Sequence, residues 1–203
     1  MSTTTVLLWH GFMRSPRDLS PMVKTLTNDG CCVFTPKAWG PVAMNSAATA
    51  RKAARALLQS DDWSEAPVVI VTHSAGAALG AWTALALPPA MLRGLVLADG
   101  TDNLVRGFTR CLPRLRGVPI HLIDADPGPC NRFGALSLHV RQTHDRVTCV
   151  RVAGAGHGDI ERDVGSEQGP SALYARVCGD RSSPAVAARF QAAVLAAVHE
   201  LGD

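Results

Sequence analysis

The sequence predicts an α/β fold, in which a mostly parallel sheet of about six strands is flanked by helices. Short β-branched or apolar runs alternate along the chain with longer alanine-rich stretches, as in proteins built from strand-helix-strand units. Most of these runs are apolar throughout, which is typical of strands buried on both faces. The 203 residues suit one compact unit, so we interpret residues 1–203 as a single domain.

Six runs are predicted to be strands. In chain order they are residues 6–9, 32–35, 68–71, 95–98, 120–123 and 147–152. In a parallel sheet, the loops that follow the carboxyl ends of the strands line the crevice where ligands bind. We therefore expect the chemistry of this protein in the loops after these runs.

Five helices are predicted beside the strands. The first begins at Pro16, with Ser15 as its cap and Gly30 as a stop. The last begins at Pro184, with Ser183 as its cap, and carries an apolar face that we expect to pack in the core. That face consists of Val186, Phe190, Val194, Leu195, Val198 and Leu201. The predicted helices are residues 16–28, 46–59, 75–87 and 133–144 and the helix from Pro184.

The composition excludes several classes of protein. Hydrophobic residues make up 47% of the chain and charged residues 18%, which is typical of a globular protein. The net charge of +3 is scattered and aromatic residues make up only 5%, so nucleic acid is not expected as a partner. No apolar run approaches the roughly 18 residues of a membrane span, and the N-terminus lacks a signal-peptide pattern. We expect a cytoplasmic protein, and the sequence leaves its oligomeric state open.

The six cysteines do not predict a metal site. They are Cys31, Cys32, Cys111, Cys130, Cys149 and Cys178. None forms a CxxC pair, and no His/Cys cluster has the spacing of zinc ligands. Buried, reduced thiols are expected in a cytoplasmic protein. Cys130 and Cys178, which lie in loop-like sequence, can instead form a disulfide if the mature protein is exported.

Ser74 is the candidate nucleophile. The predicted strand 68–71 leads directly into Thr72-His73-Ser74-Ala75-Gly76 and an alanine-rich helix. A nucleophile elbow places serine on such a strand-to-helix turn, usually within the pattern G-x-S-x-G. Thr72 replaces the first glycine of that pattern, and a serine here can also act simply as a helix cap. Its position after a buried strand favours the nucleophile, because a helix N-terminus offers backbone donors to a developing anion.

The turn Trp9-His10-Gly11-Phe12 is the candidate oxyanion turn. Gly11 allows the chain to turn sharply at the end of the first predicted strand. The backbone N–H of Phe12 and that of Ala75 then form a candidate oxyanion hole. His10 precedes the turn, so we interpret it as a hydrogen-bonded structural residue.

His157 is the candidate general base. It lies in Gly154-Ala155-Gly156-His157-Gly158-Asp159, a glycine-rich loop after the final predicted strand. From there an imidazole can reach the serine and exchange a proton with it. The other histidines lie before the oxyanion turn, beside the serine, in a strand, in helices or near the chain end. They are His10, His73, His121, His139, His144 and His199.

Asp126 is the preferred triad acid. In this kind of triad the chain order is Ser, then Asp or Glu, then His. The acid usually follows the strand before the last, which here leads into Asp124-Ala125-Asp126-Pro127. Asp124 is close to the strand and can serve only as a turn former, a role also open to Asp126. Asp99, after the predicted strand 95–98, is the second choice, and Asp145 and Asp159 rank lower.

Several of these segments together resemble the α/β-hydrolase superfamily, and more narrowly its dienelactone-hydrolase, cutinase and chlorophyllase-like branch. They are His10-Gly11-Phe12, the Ser74 elbow, Pro129-Cys130-Asn131-Arg132 and Gly156-His157-Gly158-Asp159. The resemblance implies a parallel sheet flanked by helices, a Ser-His-Asp triad and ester hydrolysis without a cofactor. Two departures concern Thr72 and the acid loop, which is shorter than the common pattern.

The chain leaves little room for a lid over the site. About 20 residues separate the strand ending at Ala98 from the next strand, and larger members insert a cap there. We therefore expect an open cleft, partly walled by the loop 161–183. The expected function is hydrolysis of small-molecule carboxylic esters, with thioester hydrolysis or acyl transfer as a close variant. A non-catalytic binding protein on the same fold is the alternative of a different class.

Overall fold

A computed structural model describes residues 4–60, 67–163, 177–178 and 182–202. Six strands form one parallel sheet in the order β2-β1-β3-β4-β5-β6. The strands are β1 (Thr5–Trp9), β2 (Cys32–Phe34), β3 (Val68–His73), β4 (Leu92–Ala98), β5 (Ile120–Asp124) and β6 (Val147–Arg151). The predicted α/β class and the six predicted strands are confirmed.

Helices cover both faces of this sheet. In the described residues they are α1 (Ser20–Asn28), α2 (Gly40–Met44), α3 (Ala47–Leu58), α4 (Gly76–Ala84), α5 (Gly107–Cys111), α6 (Ala135–Thr143) and α7 (Pro184–Gly202). The five predicted helices are present, although the first opens as a 3₁₀ turn at Pro16–Leu19. Helices α2 and α5 were not predicted from the sequence, because five residues are too few to show a helical period.

The sheet separates two hydrophobic clusters. Successive side chains of a strand point to opposite faces, so Leu7 and Trp9 of β1 join one cluster while Val6 and Leu8 join the other. Phe190 of α7 is fully buried in the second cluster. The predicted apolar face of the last helix therefore packs in the core. Burial from both sides fixes the central strands β1, β3, β4 and β5, whose carboxyl ends lie at one edge of the parallel sheet.

The connection between β4 and β5 is compact. It contains α5 and the 3₁₀ helix Leu112–Leu115 and no cap domain. None of the helices in the described part of the chain combines the length and the apolar character that crossing a bilayer requires.

Candidate active site

Ser74 lies on a tight turn between β3 and α4. Its backbone φ is 52°, in the left-handed region that a side chain rarely adopts. The turn is held by its own backbone: the Ser74 N–H donates to the Ala98 carbonyl at 3.3 Å, and the Ser74 carbonyl accepts from Thr101 N–H at 3.0 Å. Strain of this kind is typical of a nucleophile elbow, because it turns the hydroxyl out of the sheet.

Two glycines let the first loop approach this turn closely. A Cβ at Gly76 would lie 2.6 Å from the carbonyl oxygen of His10. A Cβ at Gly11 would lie 2.9 Å from the Cβ of Ser74. Both distances are shorter than any normal carbon contact, so these positions need glycine for the loop after β1 to meet the elbow.

Thr72 stands where the usual elbow pattern has glycine. Its side chain is accommodated because the facing residue of α4 is a glycine. It is fully buried, and a Cβ at Gly80 of α4 would lie 2.3 Å from its Cγ2 methyl group. In this protein, the glycine that allows the strand and the helix to pack closely is therefore on the helix and not on the strand.

Gly80→Ala is expected to lower the free energy of unfolding by roughly 1 to 3 kcal/mol, although alanine has the higher helix propensity. The cause is the overlap with the Thr72 methyl group, which Thr72→Ser removes. In the Thr72→Ser background, Gly80→Ala is expected to be neutral or stabilising. Urea denaturation of the four proteins measures this coupling. An equal cost of Gly80→Ala in both backgrounds would contradict the proposed contact.

His157 lies beside Ser74. Its Nε2 is 2.9 Å from the Ser74 Oγ, and its side chain is 5% exposed. Two backbone hydrogen bonds hold the loop just before His157: Gly154 N–H donates to Asp126 Oδ2 at 2.9 Å, and Gly156 N–H donates to Asp159 Oδ2 at 3.0 Å. The structure therefore brings the candidate nucleophile and base within hydrogen-bonding distance.

The carboxylate on the other side of the imidazole belongs to Asp99 and not to Asp126, which corrects the preferred assignment. His157 Nδ1–H donates to Asp99 Oδ2. Asp99 follows β4 and is 2% exposed. Asp126 is exposed and binds the Gly154 backbone instead. Asp126 thus supports the loop that carries the histidine, while Asp99, the second-choice acid, has the contact with the imidazole that a triad acid would make.

Asn131 fixes the second oxygen of the Asp99 carboxylate. Its Nδ2 donates to Asp99 Oδ1 at 3.0 Å and to the Asp126 carbonyl at 2.9 Å, while its Oδ1 accepts from Gly128 N–H at 2.8 Å. Ala125 N–H also donates to Asp99 Oδ1, at 3.1 Å. With both oxygens occupied, the carboxylate cannot rotate away from the imidazole without losing hydrogen bonds.

The remaining acid candidates lie elsewhere. Asp124 ends β5 and accepts from Ser137 Oγ at 2.5 Å. Burial raises the pKa of its carboxyl group, an effect that the Ser137 hydrogen bond opposes. Asp159 is fully buried and supports the histidine loop. Asp145 is 70% exposed beside His144.

His10 has the structural role that the sequence suggested. Its Nδ1–H donates to the Gly11 carbonyl at 2.9 Å, and its Nε2 accepts from Ala38 N–H at 3.3 Å. Burial lowers its pKa, so the neutral ring is favoured. It ties the loop after β2 to the oxyanion turn.

The two candidate oxyanion donors belong to residues close to Ser74. Phe12 and Ala75 line one cavity with it. Among the hydrogen bonds of the described residues, none is donated by the backbone N–H of either residue.

Next to the site lies a buried ionic network, which the sequence did not predict. His73 is fully buried next to the serine, and its Nε2–H donates to the His157 carbonyl at 2.8 Å. Its Nδ1 lies 3.2 Å from Glu161 Oε1, while Arg14 Nη2 lies 3.1 Å from Glu161 Oε2. Burial alone lowers the pKa of His73, but the Glu161 carboxylate and the His157 carbonyl outweigh it and raise the pKa above 6.5. The network joins the oxyanion loop, the elbow and the histidine loop.

Glu161→Gln is expected to cost about 3 to 5 kcal/mol of unfolding free energy near pH 6, because it leaves the His73 cation without this carboxylate. Since the folded-state pKa of His73 is raised, its stabilising contribution is complete below the unfolded pKa of about 6.5. That contribution is lost as the pH rises through the folded pKa. The penalty of Glu161→Gln should therefore shrink towards alkaline pH in denaturation curves.

Glu200→Gln is the matched control for this prediction. Glu200 also pairs with a histidine, His121, at 3.3 Å, but its side chain is 68% exposed. Its removal should cost less than about 1 kcal/mol. A Glu161→Gln penalty that stays constant or grows with pH would show that His73 is not the cation that Glu161 stabilises.

Two cavities meet at Ser74. The larger, about 440 Å³, contains Phe12, Met13, His157 and Val177 in its lining. The smaller, about 220 Å³, extends towards Asn45, Thr101, Asn103, Leu104 and Arg132. The serine therefore lies between two compartments.

A disulfide between Cys130 and Cys178 forms part of the cleft wall. The pairing that the sequence left as an alternative is thus the one the structure has, while Cys31 and Cys111 are free and buried, as expected of reduced thiols. Cys149, in contrast, is free and exposed. Val177 and Cys178 belong to the loop 161–183 that we expected to wall the site, and both line the larger cavity. Residues 164–176 and 179–181 of this loop lie outside the described residues.

No protein-family model matches the sequence, and no curated protein matches it by sequence. Solved structures match it over most of its length. A dienelactone hydrolase from Anabaena variabilis is 16% identical, with a TM-score of 0.68 over 95% of this chain and 84% of that one. A dienelactone hydrolase-like promiscuous phosphotriesterase from metagenomic libraries is 15% identical, with a TM-score of 0.66 over 100% of this chain and 89% of that one.

An α/β serine hydrolase homologue from Coxiella burnetii is 17% identical, with a TM-score of 0.59 over 80% of each chain. At such identities the likeness shows the fold. This chain therefore has the α/β-hydrolase fold, and its resemblance to dienelactone hydrolase and other α/β hydrolases, first suggested by short motifs, is confirmed at that level.

Proposed function

We propose that this protein is a serine hydrolase that cleaves carboxylic esters through an acyl-enzyme intermediate. One observation carries the proposal: His157 binds Asp99 through Nδ1 and approaches Ser74 Oγ through Nε2, at 2.9 Å. The carboxylate fixes the tautomer in which Nε2 is free to accept the serine proton. A serine on a strained elbow, beside such a base, is activated for attack on a carbonyl carbon.

The first half of the reaction acylates the enzyme. His157 Nε2 takes the proton of Ser74 while Oγ bonds to the ester carbonyl carbon. The N–H groups of Phe12 and Ala75 stabilise the negative charge that develops on the carbonyl oxygen. When the tetrahedral intermediate collapses, the bond to the leaving alkoxide breaks and His157 protonates it, releasing an alcohol.

The second half restores the serine. Water gives a proton to His157 Nε2 and bonds to the acyl carbon, and the Ser74 Oγ–acyl bond then breaks. The serine recovers the proton and the carboxylic acid leaves. Asp99 stabilises the imidazolium in both halves and does not itself take the proton. The reaction consumes one ester and one water and needs no cofactor.

Ester cleavage fits the cleft that surrounds the serine. Ser74 lies at the junction of the two cavities, so the acyl group and the alcohol of one substrate can extend in opposite directions from the reacting carbon. No cap lies between β4 and β5, so this connection does not cover the junction. Solved structures with this fold include enzymes described as dienelactone hydrolases and lipolytic enzymes.

A fluorophosphonate probe, which reacts with activated serines, tests the proposal. The wild-type protein is expected to be labelled, and Ser74→Ala is expected to lose the label. Ser137→Ala is the matched control, because Ser137, on α6, is also buried and hydrogen-bonded, but its partner is Asp124 at the end of β5. Equal labelling of wild type and Ser74→Ala, or no labelling of the wild type, would overturn the proposed function.

A further inference from the structure

Exposed apolar side chains gather at the carboxyl-terminal edge of the sheet, around the mouth of the cleft. Ten large hydrophobic side chains are exposed among the described residues, and eight of them follow strand ends or line the cleft. We call these eight the apolar rim: Phe12, Met13, Trp39, Val42, Leu104, Val105, Phe133 and Val177. The other two, Leu138 and Val150, lie on α6 and β6. Several exposed apolar side chains at one edge of a fold are typical of a binding face.

The rim is continuous with the cleft. Met13 and Val177 line the larger cavity, and Leu104 lines the smaller one. Trp39 and Val42 belong to the segment that leads to Met44, and Phe133 follows Arg132; both Met44 and Arg132 line the smaller cavity. Whatever covers the rim is therefore brought directly to the mouth of the site.

Backbone strain is concentrated in the same loops. Six non-glycine residues have a positive φ among the described residues, and two of them, Ser74 and Asp99, belong to the proposed triad. The other four are Met13 at 58°, Arg106 at 53°, Arg132 at 49° and Phe133 at 56°. This conformation is unfavourable for bulky side chains, and it persists where the surrounding structure enforces it. Met13 and Phe133 are members of the apolar rim, and Arg106 and Arg132 are exposed cations next to rim residues in the chain.

Cations are interspersed with the rim. Lys37, Arg106 and Arg132 are exposed, and no ion pair to any of them occurs in the described part of the chain. The carboxylates on neighbouring loops are engaged elsewhere: Asp102 accepts from the backbone of α5, and Asp126 accepts from Gly154. The face therefore offers apolar side chains together with positive charge.

We propose that this face docks on an anionic lipid surface, with the apolar rim entering the boundary between head groups and acyl chains. The cations would lie against the lipid phosphates, as at other interfacial faces. A second copy of the chain fits less well, because face-to-face contact would bring the same cations together. The proposal builds on the proposed function, since docking presents esters within the lipid surface to Ser74.

Sedimentation with vesicles of phosphatidylglycerol and phosphatidylcholine tests the apolar part of the proposal. The rim variant combines Trp39→Ser, Val42→Ser and Phe133→Asn, and none of these three residues lines a cavity that contains Ser74. Asparagine replaces Phe133 because it tolerates a positive φ. The wild type is expected to pellet with the vesicles, and the rim variant to bind at least about tenfold more weakly. The control, Leu138→Ser with Val150→Ser, should bind like the wild type.

The same sedimentation assay tests the role of the cations. Lys37→Gln with Arg106→Gln is expected to weaken binding to these vesicles about tenfold and to leave binding to pure phosphatidylcholine unchanged. Arg51→Gln with Arg55→Gln, on the exposed surface of α3, is the matched control and should have no effect. If both double variants lose vesicle binding equally, only the total charge of the protein matters, and the proposed docking face is refuted.

Three other outcomes also overturn the proposal: a wild type that stays in the supernatant, rim and control variants that bind equally, or a rim that mediates self-association in light scattering without binding vesicles. Ser74→Ala separates the two proposals, because it should pellet like the wild type. Vesicle binding without fluorophosphonate labelling refutes the proposed function alone. Labelling without vesicle binding refutes only the docking.

Discussion

Replacing Ser74 with alanine is expected to lower kcat for a water-soluble p-nitrophenyl ester by about 10⁶-fold. The variant loses the oxygen that bonds to the acyl carbon, so only the oxyanion donors and substrate binding remain to assist attack by water. Alanine lacks only the hydroxyl, and Ser74 is held by backbone hydrogen bonds. The fold should therefore survive, as circular dichroism and thermal unfolding will show.

The same measurement on His157→Ala tests whether the two residues act as one unit. Each single variant should cost about as much as the double variant, because a base without its nucleophile and a nucleophile without its base are both inactive. Independent, multiplying losses would contradict the hydrogen bond between Nε2 and Oγ as the catalytic contact.

Asp99→Asn is expected to lower kcat by about 10³ to 10⁴-fold. The amide can present an N–H to the imidazole, which favours the tautomer with its proton on Nε2 and removes the acceptor that Ser74 needs. It also removes the negative charge that stabilises the imidazolium. Asn131 and Ala125 hold the other oxygen of this residue, so the side chain should keep its position in the variant.

Asp126→Asn is the matched control for the acid. Its carboxylate binds Gly154 N–H at 2.9 Å, and an asparagine oxygen can still accept that hydrogen bond. We expect kcat within about tenfold of the wild type, since the effect is confined to the support of the histidine loop. A larger loss in Asp126→Asn than in Asp99→Asn would return the acid role to Asp126.

The nucleophile and base candidates could be located from the sequence because local context identified them. Ser74 follows a buried strand and precedes an alanine-rich helix, and His157 lies in a glycine-rich loop after the last strand. Parallel strands bring such loops to one edge whatever the exact register, so chain order alone predicted that the two side chains would meet there.

The acid could not be identified in this way because two aspartates follow the ends of adjacent strands. Asp99 follows β4 and Asp126 lies in the loop after β5, so both reach the same edge. The choice depends on side-chain direction, which the left-handed backbone of Asp99, at a φ of 47°, helps to set. Asn131, in the loop after β5, was the available indication of Asp99, because a buried amide needs hydrogen-bond partners and its Nδ2 donates to the Asp99 carboxylate.

The ionic network beneath the site depends on contacts that spacing does not encode. His73 and Glu161 are 88 positions apart in the chain, and His73 stands next to the candidate nucleophile. Nothing in their local sequence distinguishes a buried pair from two solvated side chains. The disulfide is similar: loop-like sequence suggested that Cys130 and Cys178 can pair, but only the fold brings them together.

The contact between Thr72 and Gly80 changes how an elbow of this type is to be recognised. A pattern that demands glycine two positions before the serine describes one way of leaving an empty volume between strand and helix. Here the methyl group of Thr72 on the strand occupies that volume. The helix leaves room for it because Gly80, six positions after the serine, has no side chain. A search for related chains should therefore accept a bulkier residue before the serine when a glycine faces it from the helix.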